Sequence, residues 1–214
     1  MRATHPVILA VALLAVAPGA RAQGVGTPVS QADVSGTLGW LSGDKSELES
    51  YGGSGDWYNR SLYGGLGFGW YWTDHWKTDI EGGISSSAEL QTYSPAMIDG
   101  RTVSIRSTYG FATRRLAIGQ QYQFYRNVWF HPFAGAGIDL TWEQTERADE
   151  IYSSLPVRPR TPYPTRTVML TRPFATFGFK AYVTPRSFVR TDMKLVFHKG
   201  VDEVLLRFGM GVDF

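Results

Sequence analysis

The sequence predicts an all-β chain, with eight antiparallel strands in up-and-down order closed into a barrel around a polar interior. Three observations carry that expectation. Val204, Leu206, Phe208, Met210, Val212 and Phe214 alternate with Leu205, Arg207, Gly209, Gly211 and Asp213, and such alternation gives a strand one apolar and one polar face. Strands of this kind recur along the chain, joined in turn by tight turns and longer loops. The composition, with 24 Gly, 12 Phe, 11 Tyr and 7 Trp but no Cys, suits sheets held together by hydrogen bonds and packing alone.

In order, Met1–Ala22 begins with Arg2 and His5, runs apolar from Val7 to Ala17 and ends Pro18-Gly19-Ala20-Arg21-Ala22. A charged start, a short apolar middle and an A-x-A site predict a secretory signal cleaved before Gln23. That run is too short for a membrane anchor, which needs about 20 apolar residues. Without Arg2 and Arg21 the remaining basic residues equal the 19 acidic ones, so the exported chain is neutral and shows none of the basic excess of a nucleic-acid binder. What is left, Gln23–Phe214, is one domain by length.

The first predicted strand is Asp33–Leu41, with Val34, Gly36, Leu38 and Trp40 on one face, followed by the polar loop Ser42–Asp56. The second spans Trp57–Trp72, and Thr73-Asp74-His75 turns the chain into the third, Trp76–Gln91. There Ala88 and Leu90 continue the apolar face of Ile80 and Ile84, and Glu89 the polar face of Lys77, Asp79 and Glu81. Thr92–Arg101 reads as a second loop. The fourth strand lies within Thr102–Phe124, and the short turn Tyr125-Arg126-Asn127 leads to the fifth, Val128–Thr145. After the longest loop, Glu146–Pro164, come the sixth strand, Thr165–Val183, the turn Thr184-Pro185-Arg186 and the seventh, Ser187–His198. Lys199–Glu203 connects it to the eighth.

A soluble sandwich would alternate too, with its apolar face buried. Length argues otherwise, since these strands exceed the average soluble strand of about 5–6 residues and match the roughly 9–11 needed to cross a bilayer. Aromatics also gather at the rims: Trp70, Trp72, Trp76, Tyr122, Phe124, Trp129, Phe130, Phe188 and Phe214 near the tight turns, Trp40, Tyr109, Trp142 and Phe197 near the loops. Such rings favour the membrane interface. Glycines crowd the polar face, as a narrow lumen requires. An even number of strands, tight turns at one rim, longer loops at the other and a carboxy-terminal Phe214 resemble the small eight-stranded OmpA/OmpX-type barrels of bacterial outer membranes. The resemblance covers Gln23–Phe214 and is one of pattern. It implies an outer-membrane location, lipid and lipopolysaccharide as neighbours, and recognition of the last strand, ending at Phe214, by the barrel-assembly machinery. A monomer is expected.

With apolar faces toward lipid, the inward set is Asp33, Lys77, Asp79, Glu81, Glu89, Arg115, Asp139, Glu143, Arg172, Lys180, Arg190, Asp192, Lys194, Arg207 and Asp213. In a lumen just wide enough for side chains, such nearly balanced charges are expected to pair and plug the barrel, because unpaired buried charge is costly. The fourth strand breaks the pattern: Leu116, Ile118, Tyr122 and Phe124 facing lipid also put Arg114 and Gln120 there. Arg114 can snorkel from the upper rim. Gln120, at mid-depth, marks either a bulge that resets the register, the favoured reading, or a lipid-facing polar spot with a function.

Little points to chemistry. His75, His131 and His198 have no metal-site spacing, and no metal or cofactor is expected. Ser85, Ser87, Glu89 and His198 are the candidates for a lipid hydrolase, although the His-x-Ser of lipid A deacylases is absent, Lys199-Gly200 following His198. A non-enzymatic role is expected. Loops carried on a rigid scaffold are the better sites: the Pro-rich Pro156–Arg166 places Arg158, Arg160 and Arg166 where lipopolysaccharide phosphates offer bidentate acceptors. A structural or surface-interaction protein is therefore the leading reading. A lipid-modifying enzyme and a narrow solute conductor are the alternatives, to be told apart by dependence on His198 and by conductance.

Overall fold

The computed structural model describes residues 30–44, 57–98, 100–124, 129–152 and 160–214. The expected signal Met1–Ala22, the turn Tyr125-Arg126-Asn127 and Arg158 fall outside them. Among the described residues there are ten strands: β1 (Ala32–Asp44), β2 (Trp57–Tyr71), β3 (Trp76–Ser85), β4 (Ala88–Ile98), β5 (Arg101–Gln123), β6 (Phe130–Tyr152), β7 (Arg160–Pro162), β8 (Arg166–Tyr182), β9 (Ser187–Phe197) and β10 (Val201–Asp213).

The ring closes where β1 pairs antiparallel with β10, from Asp33↔Asp213 to Gly43↔Glu203. Going round, β1 pairs β2, β2 pairs β3, β3 pairs β5, β5 pairs β6, β6 pairs β8, β8 pairs β9 and β9 pairs β10, all antiparallel. With β3 and β4 sharing one position, this is a barrel of eight staves. Pairing of β1 with β10 removes the two free edges that an open sheet of these staves would leave there.

Two tight turns are built alike. Thr73 Oγ1 accepts from the backbone N–H of His75 and Trp76, at 3.3 and 3.0 Å. Thr184 Oγ1 does the same for Arg186 and Ser187, at 3.4 and 2.9 Å. A hydroxyl at the first turn position supplies the acceptor that these amides lose where the ladder ends. At the chain's end the Phe214 carbonyl accepts from the N–H groups of Gln31 and Ala32, and Phe214 N–H donates to Ala32.

The apolar side chains face outward. Leu66 and Met210 are each 71% exposed, and Leu38, Ile84, Ile118 and Phe208 lie open beside them. Inside, Lys77, Lys180 and Asp139 are at 0% exposure. This inverts the soluble arrangement, so it is at home only in an apolar medium. Trp70, Trp72, Phe124, Trp129 and Phe130 are exposed at the tight-turn rim, with Trp40 and Trp142 at the other.

Several expectations are corrected. The third strand is not continuous: Ser86 and Ser87 interrupt it, Ser86 N–H bonding to the Leu62 carbonyl and Ser86 Oγ accepting from Leu62 N–H at 2.9 Å. Alternation restarts in opposite phase, so Ala88 is buried and Glu89 points outward instead of into the lumen. Thr92–Arg101 is not a loop. β4 pairs β5 from Ala88↔Phe111 to Ile98↔Arg101, and Gly100 beside their connection has φ 73°, which glycine adopts without strain. The residues from Glu146 likewise extend β6. Phe188 and Tyr109 belong to the inner face, with Phe188 fully buried.

No bulge is needed at Gln120. The β3–β5 register runs unbroken from Trp76↔Tyr122 to Ile84↔Arg114. Gln120 Nε2 donates to Thr78 Oγ1 at 2.7 Å, and Trp72 Nε1 donates to the same oxygen at 2.7 Å. One outward position from the Trp76–Tyr122 pair, Gln120 sits at the depth of the aromatic girdle, where a paired amide is tolerated.

Candidate functional site: the charged lumen and the outer mouth

The lumen side chains form three tiers. Nearest the termini, Asp33 accepts from Lys77 at 2.8 Å, from Lys180 at 2.6 Å and from the Tyr71 hydroxyl at 2.8 Å. Asp213 lies 3.7 Å from Lys180 and accepts from Tyr182. Gly69 opposite leaves these groups room: a Cβ there would lie 2.6 Å from Lys77 Nζ and 2.7 Å from Asp33 Oδ1, so the ion pair would have to shift.

In the middle tier Arg207 bridges Glu81 and Asp192, the latter at 2.5 Å. Arg190 joins Asp192 at 2.6 Å to the half-buried Asp79 at 3.4 Å, which also meets Lys77 at 3.1 Å. The Tyr63 hydroxyl donates to Glu81 at 2.6 Å. A cavity of about 10 Å³ beside Glu81, Gln121 and Arg207 is roughly the space of one water.

In the upper tier Glu203 receives Arg115 at 2.5 Å and Arg172 at 2.7 Å, while Arg172 also meets Asp202. Asp139 receives Lys194 at 2.6 Å and the Thr141 hydroxyl at 2.5 Å. Aromatic rings pack over the cations: Phe188 lies 4.0 Å from Lys180 and Phe174 4.3 Å from Lys194. Glu143 is buried above this tier.

The structure thus draws Lys77, Asp79, Glu81, Arg115, Asp139, Arg172, Lys180, Arg190, Asp192, Lys194 and Arg207 into connected ion pairs. Sequence reasoning missed Glu203 and Asp202, which were assigned to a connection. Extending the alternation of β10 one step below Leu205 places Glu203 on the inward face. Tyr63 and Tyr71, also inward by alternation, were missed because they carry no formal charge.

Above these tiers the inner surface changes character. Phe111, Tyr109, Val168 and Leu170 line a cavity of about 580 Å³, with Arg172 and Glu143 at its floor and Arg166, His198 and Lys199 at its rim. One wall is tall. β5 and β6 remain paired above Arg114↔Trp142 as far as Ser104↔Tyr152, flanked by β4 and by β7, which pairs from Ala148↔Pro162 to Glu150↔Arg160. The opposite wall is low, β9 ending at Phe197 and β10 starting at Val201.

On the tall wall Arg147 is held between two rings, 5.5 Å from Tyr109 and 4.8 Å from Tyr163, and is bound to Asp149 at 2.8 Å. The Tyr163 hydroxyl also donates to Asp149, at 3.1 Å. Burial raises the Asp149 carboxyl, but the bonds from Arg147, Ser107 and Tyr163 outweigh it and hold it below the usual carboxylate range. A depressed folded-state pKa contributes stability that is present above the unfolded value and lost as pH falls through the folded one. The Tyr163 ring resonances should therefore stay constant from neutral pH down to about pH 4 and shift only below it. Asp149→Asn should abolish that acid-dependent shift.

Arg166 lines the mouth and Arg160 lies exposed on β7. The suggested hydrolase set is not assembled. Ser85 and His198 sit on staves four steps apart around the ring, Ser85 Oγ accepting from Thr113 N–H at 2.9 Å. Among the described residues no group of three or more His, Asp or Glu is placed to hold a metal.

No family model and no curated protein matches the sequence. Among solved structures, the barrel is similar to the outer membrane protein OprG of Pseudomonas aeruginosa, with 15% identity and a TM-score of 0.49, covering 86% of this chain and 97% of that one. It is also similar to the attachment invasion locus protein Ail of Yersinia pestis (9%, TM-score 0.48, 86% and 99% covered). The N-terminal β-barrel domain of Pseudomonas aeruginosa OprF gives 13%, 0.47, 86% and 98%. At such identities and scores the likeness is one of architecture. The fold and its medium follow from this barrel's own closure and its apolar exterior.

Proposed function

We propose that this chain is a protein of the bacterial outer membrane, exported by a signal cleaved before Gln23 and inserted with its last strand and Phe214 as the assembly signal. Its lumen is sealed, and it works by presenting the outer mouth and the β4–β7 sheet to the surroundings. The observation that carries this reading is the contrast along one stave pair: β5 and β6 cross the apolar belt around ion-paired side chains, then continue beyond it as an exposed sheet. A rigid scaffold below and an open surface above is the arrangement of a surface-interaction protein. Arg160 and Arg166 there, with Arg158 beside them in sequence, suit the phosphates of lipopolysaccharide.

Sealing is tested by conductance. The purified barrel in planar bilayers should give no discrete steps, and Lys180→Met should leave that unchanged, because Tyr71, Lys77 and Asp213 still fill the tier. Stable unitary currents from the native protein would make it a conductor instead. The surface role is tested by pull-down from intact cells with and without residues 153–159. Partners retained equally by both forms would remove that segment from the interaction.

A further inference from the structure

The mouth differs from the lumen beneath it in a way that sealing does not require. A plug needs paired charges. Above the Arg115–Glu203–Arg172 tier, however, the inward positions become Phe111, Val168, Leu170 and Tyr109, enclosing about 580 Å³. That volume lies within the roughly 300–1,000 Å³ typical of small-molecule sites, which are apolar chambers with a few placed polar groups.

Two polar groups are placed here with capacity to spare. Arg172, its side chain only 3% exposed, forms part of the floor, and although its terminal nitrogens are taken by Asp202 and Glu203, its buried Nε–H has no acceptor among the described residues. A buried donor left without an acceptor is costly, so an acceptor reaching the floor would be favoured. At the rim Arg166 has no carboxylate partner among the described residues and stands near Lys199 and His198. Arg147, on the same wall, is occupied by Asp149. A cationic guest would meet Arg166 and Lys199 on entry, whereas an anionic one would be drawn toward them.

We propose that the outer mouth binds a small amphipathic anion: an apolar body against Phe111, Val168 and Leu170, carrying one carboxylate held by Arg166 and Lys199. An oxygen on that body would satisfy Arg172 Nε. The inference rests on the reading of the chain as a membrane barrel with a closed floor, since an open lumen would leave no chamber.

The test uses the full exported chain in phosphatidylcholine nanodiscs, titrated calorimetrically against empty nanodiscs. The probes are 1-naphthoate, decanoate and, with the charge reversed, 1-naphthylmethylammonium. Saturable one-to-one binding of at least one carboxylate is expected, with none of the ammonium. Comparison of the two carboxylates separates a flat aromatic body from an alkyl chain. Arg166→Gln and Lys199→Gln should each weaken binding about tenfold, as loss of one charge-assisted contact does. Leu170→Asn should do likewise through the wall, while Arg101→Gln at the hairpin tip should change nothing. Equal binding of the ammonium, absence of saturation by both carboxylates, or affinity indifferent to both Arg166→Gln and Lys199→Gln would overturn the proposal. Heat-modifiable gel migration run on the same samples separates this failure from that of the parent reading: a folded barrel that binds nothing sinks the site alone.

Discussion

Replacing Asp33 by Ala should destabilise the barrel by about 3 kcal/mol, at the lower end of what removal of one partner from a buried ion pair costs. Asp33 is the shared acceptor of Lys77, Lys180 and Tyr71, and it is fully buried. Its loss leaves two ammonium groups in the lumen. Lys77 retains the Asp79 carboxylate at 3.1 Å, but the one carboxylate left to Lys180 among the described residues is Asp213, at 3.7 Å. The cost is thus one of stranded charge and not of lost contacts, which yields a second expectation: Lys180→Met added to Asp33→Ala should restore a large part of the stability. Urea unfolding from phospholipid vesicles measures both. If the double variant proves no better than the single one, the stranded-charge account of this tier fails.

Leu66→Arg should cost about 2–4 kcal/mol, the penalty of an arginine on the lipid face at the bilayer midplane. Leu66 is 71% exposed and lies across from Gly36 and Gly82, remote from both aromatic girdles. The sign of the effect discriminates between media. On a water-facing surface an exposed leucine is replaced by arginine at little or no cost. The same vesicle assay reads it, and a neutral or stabilising result would mean that this face meets water.

The eight staves were legible because lipid on one side and a polar lumen on the other force strict alternation, as in β10 from Val204 to Phe214. Where either medium ends, so does the signal. Thr92, Tyr93, Ser94 and Pro95 read as loop because nothing outside the membrane demands an apolar face, yet they pair with β5. Glu89 was assigned to the lumen because alternation was carried through Ser86 and Ser87, where Ser86 bonds to Leu62 and the phase is lost. Gln120 was placed too deep, since depth depends on which rings form the girdle, and alternation says nothing of depth. The charged lumen was readable residue by residue from facing direction. Which carboxylate serves which cation was not, because Arg115 and Glu203 lie 88 positions apart in sequence and meet only across the closed ring. The mouth's cavity was invisible for a related reason: its walls come from β5, β6, β8 and the β9–β10 turn.

The orientation of the two faces is tested most directly by spin labelling. The chain has no native cysteine, so single cysteines can be placed at Leu66 and Met210 on the outer face and at Thr37 and Thr176 on the inner one, each labelled with a nitroxide in vesicles. The outer labels should collide freely with oxygen and rarely with a water-soluble nickel chelate, and the inner labels should be shielded from both. Labels at Leu66 and Met210 that met the chelate as readily as oxygen would contradict the structure's assignment of its apolar face to lipid.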